Sequence, residues 1–171
     1  MSMFCYQCQE TSRNIGCTMR GVCGKSPVLA NLFDLLVYSL KGLAHAAVKL
    51  NEHGVYYPED AVFTMGGLFR TITNANWDEE LIRNTITQTL ALRDKRKEEL
   101  CKLLEGKCDT CPDAVSFSVS PEDYDVFAEK VGVLRTENED VRSLRETIVY
   151  GIKGISAYGE HAAMLGFMDD D

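Results

Sequence analysis

Ser26-Pro-Val-Leu-Ala-Asn-Leu-Phe-Asp-Leu-Leu-Val-Tyr-Ser-Leu-Lys-Gly-Leu43 carries the pattern that sets the fold class. Serine followed by proline reads as an N-cap and a first helical residue, where the missing proline N–H costs nothing. Leu32, Leu36, Leu40, Leu43 and Ala47 then recur at steps of three and four, and Gly54 is a natural stop, so a helix is expected over about 27–52. Pro58-Glu59-Asp60 opens a second pattern through Val62, Phe63, Leu68, Phe69 and Ile72. Asn76-Trp77-Asp78-Glu79 reads as a cap with glutamate at N3 for a third helix, reaching about residue 104. Ser120-Pro121-Glu122-Asp123 starts a short helix to about 131, and Thr136-x-x-Glu139 caps a last one to about 165. Along that last helix Val141, Leu144, Ile148, Ile152 and Ile155 form one apolar stripe, read as a core face. No strand series is visible, the Val115–Val119 stretch being isolated, so the fold class is all-α.

The organisation expected is an N-terminal cysteine loop with a first helical bundle over 1–105, a linker over 106–120, and a second helical segment, 121–171, packed on the first. An internal echo supports two related bundles. Val37-Tyr-Ser-Leu-Lys-Gly-Leu43 matches Val149-Tyr-Gly-Ile-Lys-Gly-Ile155, both inside helices expected in the core. Gly42 and Gly154 each cost a helix about 1 kcal/mol relative to alanine, which suggests close helix approach at both.

Eighteen basic against twenty-six acidic side chains give a net charge of −8, which repels phosphate backbones, so nucleic acid is not expected as a partner. The basic run Arg93 to Lys97 lies in a helical pattern and reads as a solvated face. No continuous apolar run approaches the ~18 residues of a membrane span. The start, Met-Ser-Met-Phe-Cys-Tyr-Gln-Cys, has neither a basic n-region nor an apolar h-region, which makes the cytoplasm the expected location and a membrane partner unexpected.

Seven cysteines in such a chain point to metal or redox chemistry, because a reducing compartment does not maintain structural disulfides. Four of them follow the spacing Cys5-x2-Cys8-x8-Cys17-x5-Cys23. Four thiolates can converge from one such loop, and Gly16, Gly21 and Gly24 suit a loop wrapped round a bulky group. Iron–sulfur clusters and zinc both accept tetrahedral sulfur. Zinc sites more often pair two short Cys-x2-4-Cys knuckles, so the x5 second pair and the lack of a nearby histidine favour a cluster, with a non-redox zinc-binding interaction module as the alternative. Cys101, Cys108 and Cys111 read as incidental loop thiols. His45 and His161 read as packing residues and His53 as a surface residue at a helix end.

Several motifs in the same order resemble hybrid cluster proteins, also called prismane proteins or hydroxylamine reductases. They are Met3-Phe-Cys-Tyr-Gln-Cys-Gln-Glu-Thr11, Gly16-Cys-Thr-Met-Arg-Gly-Val-Cys-Gly-Lys25, Ala30-Asn-Leu-x-Asp-Leu-Leu36, Thr71 to Asp78, Thr136 to Glu146 and Tyr150 to Phe167. The resemblance implies an N-terminal domain of two three-helix bundles with Cys5, Cys8, Cys17 and Cys23 holding one [4Fe-4S] cubane at the surface. It implies an electron relay from a redox donor protein toward a buried hybrid 4Fe-2O-2S cluster, which the family uses to reduce hydroxylamine or nitric oxide under nitrosative stress. Family members continue into two α/β domains that supply the hybrid cluster's ligands, whereas this sequence stops at Asp171. The hybrid cluster is therefore not expected in this chain, and no catalytic residue is assigned. The remaining family domains, or a second copy, are expected to cover an apolar face.

Overall fold

Ser26 starts the central helix as its sequence predicts, its Oγ accepting from Leu29 N at 3.0 Å. The computed structural model describes residues 2–72, 76–105 and 111–168. Helix α1, Pro27–Glu52, buries Leu29, Leu32, Leu35, Leu36, Leu40, Leu43, Ala46 and Leu50, each leucine contributing about 1.5–3 kcal/mol of transfer free energy. By length and a mean hydropathy of 1.3 this helix could cross a membrane, a run that Asp34 and Lys41 hide from a search for continuous apolar sequence. Here 61% of that window is buried inside the fold, the condition of a core helix.

Around α1 stand α2 (Pro58–Arg70), α3 (Glu79–Leu103), α4 (Asp113–Ser116) and α5 (Tyr124–Ala128); α6 (Glu139–Met164) lies on α2. Among the described residues there is no strand, only an isolated antiparallel bridge between Cys5 and Cys17, and the chain is all-α. Helix α3 gives α1 its most extensive partner, burying Ile82, Ile86, Leu90 and Leu100. Tyr124 of α5 is buried in the same core, its hydroxyl 2.9 Å from Thr87 Oγ1.

Three local expectations need correction. Asp78, not Asn76, caps α3, because Asp78 Oδ1 accepts from Leu81 N while Asn76 Oδ1 accepts from Asp78 N one turn earlier. Asn138, not Thr136, caps α6 by accepting from Val141 N, and the Thr136 carbonyl instead accepts from Arg142. The expected linker contains α4, and the short helix expected from 121 is a 3₁₀ turn, Pro121–Asp123, followed by α5 alone. Residues 106–110 of that linker lie outside the described residues.

The basic run is only in part a solvated face: Lys95 is exposed and Lys97 half-buried, but the two arginines are not. Arg93 and Arg96 are both 2% exposed. Arg93 donates to the carbonyls of Phe117 (2.8 Å) and Ala114 (3.3 Å), satisfying backbone groups of α4 that have no ladder partner. Arg96 grips Asp60 of α2 with two bonds of 2.6 and 2.9 Å and lies 3.3 Å over the Tyr57 ring. Periodicity counted these residues as charges; their long stems and planar heads serve instead as glue between helices.

The two halves of the internal echo are also used differently. Gly42 is a true close approach: a Cβ there would collide with the Ala114 carbonyl. Gly154 faces open space. The α6 stripe expected in the core is exposed, Val141, Leu144, Ile148, Ile152 and Ile155 all lying on the outside, and α6 buries only Lys153 and Ser156. Helix α6 meets α2 where Gly159 faces Met65 and Gly66 faces Glu160. His161 packs edge-on against Phe69, His45 is half-buried, and His53 at the end of α1 is exposed beside the Lys49 carbonyl.

Candidate metal centre

Residues 3–5 and 17–18 run antiparallel. Cys17 N donates to Cys5 O (2.8 Å), Cys5 N to Cys17 O (3.1 Å) and Met3 N to Thr18 O (3.1 Å), so Cys5 and Cys17 are a directly hydrogen-bonded pair. In such a pair the two side chains leave the same face of the ribbon. Between them, the Cys8 carbonyl accepts from Thr11 N and Oγ1, at 3.1 and 2.6 Å, which closes a turn round Cys8 before the 3₁₀ turn Ser12–Asn14. Beyond Cys17, Gly21 N donates to Lys25 O and Gly24 N to Gly21 O, both at 2.9 Å, forming the turn that carries Cys23. Gly24 has a φ of +92°, a conformation closed to other residues without strain, and so allows that turn to fold back on itself.

The loop is seated on α1. Met3, Cys17 and Ala30 form a small buried cluster, with Cys5 packed against it, and Asn31 Nδ2 donates to the Ser2 carbonyl at 3.0 Å. Cys17 is buried, Cys5 and Cys8 are half-buried and Cys23 is exposed, all four as free thiols. Ile15, Met19 and Val22 stand exposed beside them. Among the described residues no three His, Cys, Asp or Glu side chains are arranged to hold a single metal ion. What the backbone brings together is the Cys5–Cys17 pair, while Cys23 shares the Gly21–Lys25 turn with Lys25.

Lys25 was visible in the sequence only as the end of a cysteine motif. Its side chain is 1% exposed, and Nζ lies 4.2 Å over the Phe33 ring with no hydrogen-bond partner. Burial pushes this ammonium below its usual range, and negative charge on Cys5, Cys23, Asp34 and Cys8 pulls the other way. A buried, orphaned cation on the turn that carries Cys23 fits an anionic group held by thiolates.

Two residues between Cys5 and Cys8 tie the loop to α6, a link sequence reasoning missed because it joins positions more than a hundred residues apart. Tyr6 Oη donates to Glu146 Oε2 at 2.8 Å, and burial together with that bond raises the phenol well above its ordinary range. The Gln7 amide, oriented to satisfy both its atoms, accepts from Lys153 Nζ (3.1 Å) and donates to Thr71 O (3.3 Å). Burial pushes the Asp34 carboxyl up to about 7, against the pull of Lys153 and Lys25, and pushes Lys153 down to about 8, against the pull of Asp34. Tyr6, Gln7, Asp34, Glu146 and Lys153 line one side of a cleft of about 1060 Å³ between α1, α6 and the chain around Val133.

The other cysteines stand apart from this arrangement. Cys101 sits in the last turn of α3 rather than in a loop, Cys111 is a half-buried free thiol, and Cys108 lies outside the described residues.

Residues 3–171 match the Prismane/CO dehydrogenase family. Hydroxylamine reductase of Thermoanaerobacter pseudethanolicus is 48% identical over 171 residues, covering 100% of this chain and 31% of the relative. Hydroxylamine reductase of Nitratidesulfovibrio vulgaris is 45% identical over 170 residues, covering 96% of this chain and 31% of the relative. That of Clostridium tetani is 44% identical over 195 residues, which is 34% of its length. This chain thus spans about a third of the length of the curated relatives it matches, and corresponds to their N-terminal region. With the match running over nearly every residue, the chain belongs to the Prismane/CO dehydrogenase family.

Proposed function

We propose that this chain is the electron-relay region of a hydroxylamine reductase-type protein, holding one [4Fe-4S] cluster on Cys5, Cys8, Cys17 and Cys23. The observation that carries the reading is the buried Lys25 ammonium, without a hydrogen-bond partner among the described residues and pinned on the turn that carries Cys23. A structural cysteine loop gains nothing from such a cation, whereas a thiolate-bound anion offsets its desolvation. When bound, the cluster supplies reversible one-electron exchange.

The chain's own residues have separable tasks. Cys17, buried and paired through its backbone with Cys5, fixes the inner half of the loop. Cys23 opens the site to solvent, and the exposed Ile15, Met19 and Val22 offer a redox donor protein an apolar rim. Tyr6 and Gln7 hold the opposite side of the loop to α6 through Glu146 and Lys153. The outer face of α6, with Leu144, Ile148, Ile152, Ile155 and Tyr158 exposed, is the surface for the remaining domains of the larger relatives, or for a second copy in their absence. A reducing compartment such as the cytoplasm suits a site built from four free cysteines. Reduction of hydroxylamine or nitric oxide is assigned to the larger protein, of which this chain spans about a third, and the purified 171-residue chain is expected to be redox-active and catalytically silent.

Anaerobic reconstitution followed by iron and sulfide analysis, with EPR of the reduced chain, tests the reading. Four irons and four sulfides per chain are expected, and Cys17→Ser should lose most of them because a neutral hydroxyl replaces a thiolate poorly. Stoichiometric zinc with no sulfide, or two irons per chain, would establish a different centre.

A further inference from the structure

We propose that Lys25 is the charge-compensating residue of this centre, a buried cation that sets the reduction potential of the group held by the four cysteines. The proposal rests on the cluster reading above and adds a role to a residue that ligates nothing.

Three observations converge on Lys25. Its side chain is 1% exposed, its Nζ has no hydrogen-bond partner among the described residues, and the aromatic face of Phe33 lies 4.2 Å away. An ammonium withdrawn from water and left with a ring quadrupole alone is costly, so a counter-charge must stand nearby. Asp34 is one candidate, but Lys153 acts on it more strongly than Lys25 does. The proposed ligand that the fold sets beside Lys25 is Cys23, two residues away on the same turn. The backbone fixes this juxtaposition, since Gly21 N donates to Lys25 O at 2.9 Å and a Cβ on Gly21 would lie 3.0 Å from both Lys25 Cβ and Cys23 Sγ. Lys25 and Cys23 are thus pinned against the same turn.

The electrostatic consequence follows from the charge balance. Four thiolates round an oxidised cubane core make a dianion, and one electron from an external one-electron reductant makes it a trianion, with no bond formed or broken and no proton moved. A fixed cation in a low-dielectric setting stabilises the trianion more than the dianion, which raises the potential. Neutralising Lys25 therefore favours the oxidised form.

The test uses the full chain, reconstituted anaerobically, as wild type, Lys25→Met and Lys25→Arg. Iron and sulfide are counted and the midpoint potential is taken from an EPR-monitored redox titration. Lys25→Met is expected to keep its iron and shift the reduction equilibrium at least tenfold toward the oxidised state, 59 mV for a one-electron couple. Lys25→Arg should stay within that tenfold of wild type. Loss of the cluster in Lys25→Met with retention in Lys25→Arg also supports the proposal, since charge is what the arginine restores. An unmoved potential in an iron-replete Lys25→Met chain, equal displacement in both variants, or cluster loss in both overturns it. A wild-type chain that takes up no iron and sulfide overturns the cluster reading itself, a failure seen before any variant is compared.

Discussion

The stretches Val37–Leu43 of α1 and Val149–Ile155 of α6 share a seven-residue pattern and have opposite environments. In α1, Leu40, Gly42 and Leu43 face inward and Lys41 faces solvent. In α6, the corresponding Ile152, Gly154 and Ile155 face outward and Lys153 is buried, donating to Gln7. The same apolar spacing has been turned round on the helix axis. Periodicity reports that a face wants covering; it does not report whether the cover lies within the same 171 residues. For α1 the cover is α3, α4 and α5, and for the stripe on α6 the cover is proposed to lie in the two-thirds of the relatives that this chain does not span.

The largest expected effect sharpens the comparison by showing how firmly the inward half is held. Asp60→Ala should destabilise the chain by about 3 kcal/mol, since it removes the buried two-bond partner of the Arg96 guanidinium and leaves it only the longer contacts to Glu59 (3.3 Å) and Glu99 (3.2 Å). Urea unfolding reads this directly, and a loss under about 1 kcal/mol would mean that Arg96 escapes to solvent. Next comes the echo itself. Leu43→Ala should cost about 2–5 kcal/mol, while Ile155→Ala at the matching position should stay within about 0.5 kcal/mol. Equal losses would break the comparison by placing both stripes in one core.

A shallower effect concerns the polar inner face of α6. Asp34 has a folded-state pKa of about 7, above its ordinary 3.8, so protonation favours the folded chain. That stabilisation is complete below about pH 4 and is lost as pH rises to about 7. Lys153, lowered to about 8 from 10.5, works in the other direction: its contribution is complete above 10.5 and lost as pH falls through 8. Glu146 and Lys25 face the same pair. Unfolding measured from pH 4 to 7 should show wild type losing stability relative to Asp34→Asn, and parallel curves for the two would show that Asp34 titrates normally.

How much was legible depended on whether the deciding partner was local. Ser26 could be read as a cap because its acceptor role is completed three residues on, at Leu29. Thr136 and Asn76 were misread because Asn138 and Asp78, each two residues nearer the helix, compete for the same first-turn N–H groups. Arg93 and Arg96 looked solvated because their partners, Phe117 and Asp60, lie on other elements, and a charge gives no periodic sign of being buried. In the cysteine loop, spacing named the four thiols and the structure pairs two of them through backbone bonds. The buried position of Lys25 and the ties from Tyr6 and Gln7 to α6 depend on tertiary contacts that no local pattern encodes.

The contact at Gly42 also constrains how this sequence can drift. The space a methyl group would need is occupied by the Ala114 carbonyl, and that carbonyl is held in place by Arg93, whose Cδ would itself lie 3.0 Å from the new methyl. A lineage can therefore exchange Gly42 only after α4 has moved, and α4 can move only after Arg93 has found other acceptors. Gly154, facing open space in this chain, carries no such linkage. Two glycines in matching heptapeptides thus have different histories open to them: one is locked to two distant positions, and the other is free of both.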